Sequence, residues 1–162
     1  MNRQWRWGAA VLLGMTALPA LAAMQAKPVE WTQDGTTFGG VLVYDDGDND
    51  KRPGLVMVPN WKGVNDSAIA KAKQLAGDDY VVLVADVYGK GVRPKTDAEA
   101  GPVATKLRND RPVLRARALK AIEVLKAQAG KAPLDASRIG AVGFCFGGTT
   151  VLEMARAGAP LA

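Results

Sequence analysis

The pentapeptide Gly143-Phe144-Cys145-Phe146-Gly147 constrains the fold of this 162-residue chain more than any other segment. The residues before it, 139–144, form an apolar run that predicts a buried strand. The residues after it, 147–157, have the composition of a helix. A strand that passes directly into a helix needs a tight turn, and glycines on both sides let the neighbouring backbone approach closely. The segment therefore predicts a strand–turn–helix unit with Cys145 at its apex.

This Gly-x-Cys-x-Gly sequence is the cysteine form of the nucleophile elbow. The N-terminus of the following helix favours negative charge near Cys145. The backbone N–H of Phe146 is then placed to donate to an oxyanion. The alternative interpretation is a small buried cysteine in a strand-to-helix turn, because free cysteine is among the most buried residue types. The pentapeptide alone leaves both interpretations open.

The remainder of the chain alternates predicted strands and helices. Asp34-Gly35 separates the first two strands and predicts a two-residue hairpin. Continuous apolar runs such as 54–58 (GLVMV) are typical of strands buried on both faces. The pattern predicts one α/β domain with a mostly parallel sheet and flanking helices. The predicted strands are 28–33, 36–44, 54–58, 80–85 and 139–144, and the predicted helices are 67–76, 98–107, 112–129 and 147–157.

Composition excludes several classes of site. The 162 residues contain no His, so they hold neither a complete Cys-His-Asp triad nor a His-ligated zinc site. The single Cys cannot form an intrachain disulfide. The net charge of +5 is spread along the chain without a basic cluster, so nucleic acid is not an expected partner. The acidic segment 46–50 lacks the Gly and Glu of a calcium loop, with Lys51 and Met57 in their places. No metal or cofactor is expected.

Residues 1–22 have the pattern of an export signal. Arg3 and Arg6 precede an apolar run of about 13 residues, which is shorter than the roughly 20 that a membrane-spanning helix needs. Ala20 and Ala22 supply the small residues of a cleavage site. We expect cleavage after Ala22, a mature chain that is periplasmic or secreted, and no membrane anchor after cleavage.

Three segments together resemble the dienelactone hydrolase family of α/β-hydrolases. They are PNWKGVN at 59–65, ADVYGKG at 85–91 and RIGAVGFCFGG at 138–148. The resemblance extends over nearly all of residues 23–162 and implies the α/β-hydrolase fold. It also implies hydrolysis of a small ester or lactone, with Cys145 as the nucleophile. The backbone N–H groups of Trp61 and Phe146 match those that form the oxyanion hole.

The same resemblance implies substrate-binding positions at which this sequence departs from the family. Asn60 stands where dienelactone hydrolases carry a Glu that holds the thiol, and an amide cannot accept a proton as a carboxylate does. Lys90 falls near an Arg that helps to bind the substrate carboxylate, and Lys lacks the bidentate fork. Tyr88 is expected to line the same pocket. These differences favour a small ester or lactone in general over dienelactone itself.

The C-terminal part of the sequence departs further. Family members complete the triad with an Asp and a His after later strands, whereas 17 residues follow Cys145 here. Asp86 and Asp135 precede the nucleophile, so neither matches that Asp. We therefore expect an N-terminal portion (23–162) without the C-terminal third of the domain, inactive as a fragment, with an unpaired sheet edge at 139–144. Two alternatives remain: a non-catalytic remnant or binding module with a structural Cys145, and completion of the fold by another chain.

Overall fold

The computed structural model describes residues 23–77 and 79–162, which form one α/β sheet structure. The predicted export signal at 1–22 lies outside the described residues. Five strands and four helices alternate in the order that the sequence pattern predicts. The strands are β1 (Met24–Gln33), β2 (Thr36–Asp45), β3 (Arg52–Val58), β4 (Val81–Val84) and β5 (Leu134–Gly143). The helices are α1 (Asp66–Ala76), α2 (Asp97–Asn109), α3 (Arg111–Lys126) and α4 (Phe146–Arg156).

The sheet has the strand order β1-β2-β4-β3-β5. Strand β3 pairs in parallel with both β4 and β5, as predicted for the apolar strands. The predicted hairpin joins β1 to β2, with Gln33 opposite Thr36. Its two turn residues, Asp34 and Gly35, have φ of 48° and 71°, the positive values that a two-residue hairpin turn requires. The hairpin makes the β1–β2 half of the sheet antiparallel, so the sheet is mixed.

Some element boundaries differ from the prediction. Strand β5 begins at Leu134, five residues before the predicted start, because the polar segment 135–138 is accommodated by a register shift opposite Pro53 and Gly54. Helix α3 ends at Lys126, before the predicted Ala129. A further turn follows α3, and Gly130 (φ 82°) lies in that turn.

Helices cover both faces of the sheet. Val56 and Val58 of β3 face a core formed with α2, α3 and α4, where Leu114, Leu125 and Met154 are fully buried. Met57, between them in sequence, faces the opposite core against α1. This alternation explains why β3 reads as a continuous apolar run. None of the described helices has the length and apolar character needed to cross a membrane.

The parallel strands direct three loops to one edge of the sheet. Because β3, β4 and β5 run in the same direction, their carboxyl ends lie at the same edge. The segments that follow them are 59–65, 85–93 and the turn at Cys145. The side chain of Asn65 caps α1 by accepting a hydrogen bond from the N–H of Ala68 at 2.9 Å, which fixes the end of the first loop. The candidate site is built from these three loops.

Candidate active site

Cys145 occupies a strained turn between β5 and α4. Its φ of 55° and ψ of −114° lie in a region that residues with a side chain rarely adopt, and its side chain is exposed. The turn is closed by a hydrogen bond from the Gly147 N–H to the Phe144 carbonyl at 2.9 Å. The Cys145 carbonyl accepts from the Thr149 N–H at 3.2 Å. The predicted strand–turn–helix unit is therefore present with an exposed Cys145 at its apex, and the role of Cys145 as a nucleophile stays a prediction.

Two glycines make this turn possible because backbone passes where a side chain would stand. A Cβ on Gly147 would lie 2.0 Å from the carbonyl oxygen of Val58, at the end of β3. A Cβ on Gly143 would lie 2.2 Å from the carbonyl oxygen of Gly147. The spacing of the Gly-x-Cys-x-Gly sequence therefore follows from two backbone contacts, one to the adjacent strand and one across the turn itself.

The loop after β3 is held by its own hydrogen bonds. The side-chain oxygen of Asn60 accepts from the Lys62 N–H at 3.0 Å, and its carbonyl accepts from the Gly63 N–H at 2.9 Å. Lys62 is also paired with Asp97 of α2, with 2.9 Å between Nζ and Oδ1. Asn60 therefore shapes this turn, and its side-chain oxygen is engaged by the backbone. Its predicted contact with a substrate stays a prediction.

Tyr88 connects the loop after β3 with the elbow. Its hydroxyl donates to the carbonyl of Trp61 at 2.9 Å, and its ring lies 5.5 Å from the ring of Phe146, centroid to centroid. Burial raises the pKa of Tyr88 above the usual value for a phenol, so the hydroxyl stays protonated and able to donate. Within the described parts of the chain, the N–H groups of Trp61 and Phe146 have no hydrogen-bond acceptor. The structure thus brings together Cys145, Phe146, Trp61 and Tyr88.

Lys90, the remaining predicted substrate-binding residue, lies elsewhere. Its Nζ pairs with Oε1 of Glu30 on β1 at 2.6 Å, and both side chains are about half exposed. Its Cγ passes close to Gly39 on β2. The cation is therefore directed toward the β1–β2 hairpin in this structure. No cluster of three or more possible metal ligands occurs among residues 23–77 and 79–162.

A buried carboxylate whose role the sequence does not predict organises the loop after β4. Asp86 is 2% exposed and accepts from three backbone N–H groups. Oδ1 receives those of Tyr88 and Gly89, and Oδ2 receives that of Gly39. Oδ2 also pairs with Arg93 at 3.2 Å. This network holds the loop that carries Tyr88, and the only signal for it in the sequence is a charged residue directly after a buried strand.

A second unassigned carboxylate anchors helix α4. Glu153 is almost fully buried and lies 2.7 Å from Arg115 and 2.8 Å from Arg156, with Arg111 at 3.7 Å. Hydrogen bonding from Arg115 holds the pKa of Glu153 below its usual range. Because the folded pKa is lowered, these ion pairs stabilise the fold above the unfolded value of 4.5. Their contribution is lost as the pH falls through the folded pKa.

The sheet order, the flanking helices and the strand-to-helix turn at Cys145 are those of the α/β-hydrolase fold. The sequence of residues 38–162 matches the dienelactone hydrolase family, and the chain belongs to that family.

Relatives agree with this assignment. The solved structure named m3DLH is 41% identical with a TM-score of 0.78, covering 86% of this chain and 57% of that one. A dienelactone hydrolase-like promiscuous phosphotriesterase from metagenomic libraries is 37% identical with a TM-score of 0.77 and the same coverage. A Bradyrhizobium protein named "Probable 2-oxo-3-(5-oxofuran-2-ylidene)propanoate lactonase" is 29% identical over 137 residues, which are 83% of this chain and 54% of that protein. The chain thus spans little more than half the length of these relatives.

Proposed function

We propose that the whole protein hydrolyses small esters or lactones with Cys145 as the nucleophile. The observation that carries this proposal is the exposed Cys145, held at φ 55° at the first turn of α4. Membership of the dienelactone hydrolase family supports the reaction class. The lactonase name of the Bradyrhizobium relative supports lactones among the substrates.

In the proposed first step, the Cys145 thiol gives its proton to solvent and Sγ attacks the carbonyl carbon. The carbonyl electron pair moves onto oxygen, and the N–H groups of Trp61 and Phe146 donate to that oxyanion. When the intermediate collapses, the bond from carbon to the leaving oxygen breaks and a thioester on Cys145 remains. Preorganised donors lower this barrier because they need no rearrangement as the charge develops.

The second step, attack of water on the thioester, needs a general base. In other members of the family a His fills that role, and these 162 residues contain no His. We therefore propose that a chain of residues 1–162 is acylated at Cys145 and then stalls.

The test is a reaction of the purified chain with p-nitrophenyl acetate. We expect a burst of about one equivalent of nitrophenolate per chain without sustained turnover. Intact-mass analysis should find one acetyl group, and peptide mapping should place it on Cys145.

The control is Cys145→Ala, which should give no burst and no acetylated peptide. Two results would contradict the proposal. Acetylation confined to lysines with an unchanged burst in Cys145→Ala would favour the alternative of a non-catalytic remnant. Sustained turnover at the rate of a complete relative would refute the stalled second step.

We also propose that residues 1–22 are an export signal and that the mature chain is periplasmic or secreted. Support comes from Arg3 and Arg6 before an apolar run that ends in small residues. When the full chain is expressed in a Gram-negative host, the periplasmic fraction should contain a species that begins near Ala23. A double substitution of Leu12 and Leu13 to Arg should retain the full-length chain in the cytoplasm. An N-terminus that still begins at Met1 in the parent chain would refute the signal.

A further inference from the structure

We propose that Tyr88 is a positioning residue that aligns both donors of the oxyanion hole, an inference that rests on the proposed function. Tyr88 contacts both segments that carry these donors. Its hydroxyl donates to the carbonyl of Trp61 at 2.9 Å, and its ring packs on Phe146 at 5.5 Å. The Trp61 carbonyl and the Trp61 N–H belong to the same residue. A hydrogen bond that fixes the carbonyl therefore restricts the orientation of the N–H donor.

The loop conformation depends on the same side chain. Gly63 has a φ of 68°, and a Cβ at this position would lie 3.1 Å from the Tyr88 ring. The Tyr88 ring therefore fills the space beneath the turn 60–63. The turn is closed from the other side by the Gly63 N–H, which donates to the Asn60 carbonyl at 2.9 Å. A turn clamped between a ring and its own hydrogen bond has little freedom to rotate the Trp61 peptide.

Tyr88 itself is rigid because Asp86 holds its backbone. The Tyr88 N–H donates to Oδ1 of Asp86 at 2.9 Å, and Arg117 donates to the carbonyl of Val87 at 2.8 Å. The side chain is 6% exposed. A rigid side chain that contacts both donor segments keeps them at a fixed separation, and a reaction that develops negative charge on oxygen gains most from that arrangement.

Two reactions of Cys145 separate this role from a general structural one. Acylation by p-nitrophenyl acetate passes through an oxyanion, whereas alkylation by iodoacetamide displaces iodide at a saturated carbon and forms none. Tyr88→Phe removes only the hydroxyl and keeps the ring. We expect the acylation rate to fall about 10-fold, with the burst amplitude and the alkylation rate unchanged.

Tyr44→Phe is the matched control. Tyr44 is also buried, at 4% exposure, and its hydroxyl accepts from Lys27 at 2.6 Å, away from the elbow. This variant should keep the parent rate in both reactions. A second readout is amide hydrogen exchange. The Lys62 and Gly63 N–H groups, which donate to Asn60 within the turn, should exchange faster in Tyr88→Phe than in the parent chain.

Parent-like acylation in Tyr88→Phe would overturn the positioning role. So would an equal loss of acylation and alkylation, because Tyr88 would then act on the thiol or on the whole fold. A parent chain that shows no burst would instead refute the proposed function, and the exchange measurement would still report whether Tyr88 holds the loop.

Discussion

Replacing Gly147 by Ala is expected to destabilise the folded chain by about 3 kcal/mol or more. The new Cβ would lie 2.0 Å from the Val58 carbonyl oxygen and 2.5 Å from that of Pro59. Both atoms belong to backbone, so no side-chain rotation relieves the overlap and β3 has to move away from α4. Moving β3 away from α4 would also disturb the turn at Cys145. We therefore expect this variant to lose the burst with p-nitrophenyl acetate as well as its stability.

Gly148→Ala provides the matched control in the same helix. A Cβ at Gly148 would meet its nearest atom, the Gly143 carbonyl oxygen, at 3.4 Å, which is an ordinary contact. Since Ala is favoured over Gly within a helix by up to about 1 kcal/mol, this variant should be as stable as the parent or more stable. Urea unfolding followed by circular dichroism measures both. Equal midpoints for the two variants would contradict the proposed contact between the elbow and β3.

Replacing Asp86 by Ala is expected to lower the free energy of unfolding by about 3 kcal/mol or more. The change leaves the N–H groups of Gly39, Tyr88 and Gly89 without their acceptor. It also removes the carboxylate that faces the Arg93 guanidinium. Each buried donor left without a partner costs its full desolvation, and the loop that carries Tyr88 loses its internal support.

Denaturant unfolding measures this loss, and hydrogen exchange locates it at the Tyr88 and Gly89 amides. Asp97→Ala is the control, because Asp97 is 70% exposed and paired with Lys62 at the surface. Exposed pairs contribute no more than about 1 kcal/mol. If Asp86→Ala unfolded at the same denaturant concentration as Asp97→Ala, the buried network would have no organising role.

Local sequence signals predicted the order of the elements well. Asp34-Gly35 specified the hairpin, and the apolar runs specified β3, β4 and β5, because a turn type and a fully buried strand each depend on few residues. The predicted start of β5 was wrong because Asp135 and Ser137 form a turn-like hydrogen bond inside the strand. The register shift opposite Pro53 depends on pairing with β3, which no local pattern encodes.

The geometry of the candidate site could be predicted where it depends on a single backbone turn. The turn at Cys145 and Phe146 is of this kind, since the flanking glycines reveal it in one short segment, and the catalytic roles of both residues stay predictions. The roles of Asp86 and Glu153 were not predicted, because their partners lie on other elements. Asp86 reaches back to Gly39 on β2, and Glu153 binds Arg115 on α3. Lys90 was assigned to substrate binding by resemblance to the family, and in the structure it pairs with Glu30 on β1. Its contact with a substrate stays a prediction.

The contact between Gly147 and Val58 has a consequence for the kinetics of folding. It joins residues roughly ninety positions apart in the chain, so it forms only after a long loop has closed. The left-handed backbone at Cys145 depends on that contact, because an isolated strand and helix give a non-glycine residue no reason to adopt it. Until that loop has closed, no local contact holds Cys145 at its positive φ. It acquires its exposed, fixed geometry only when β3 and α4 have come together.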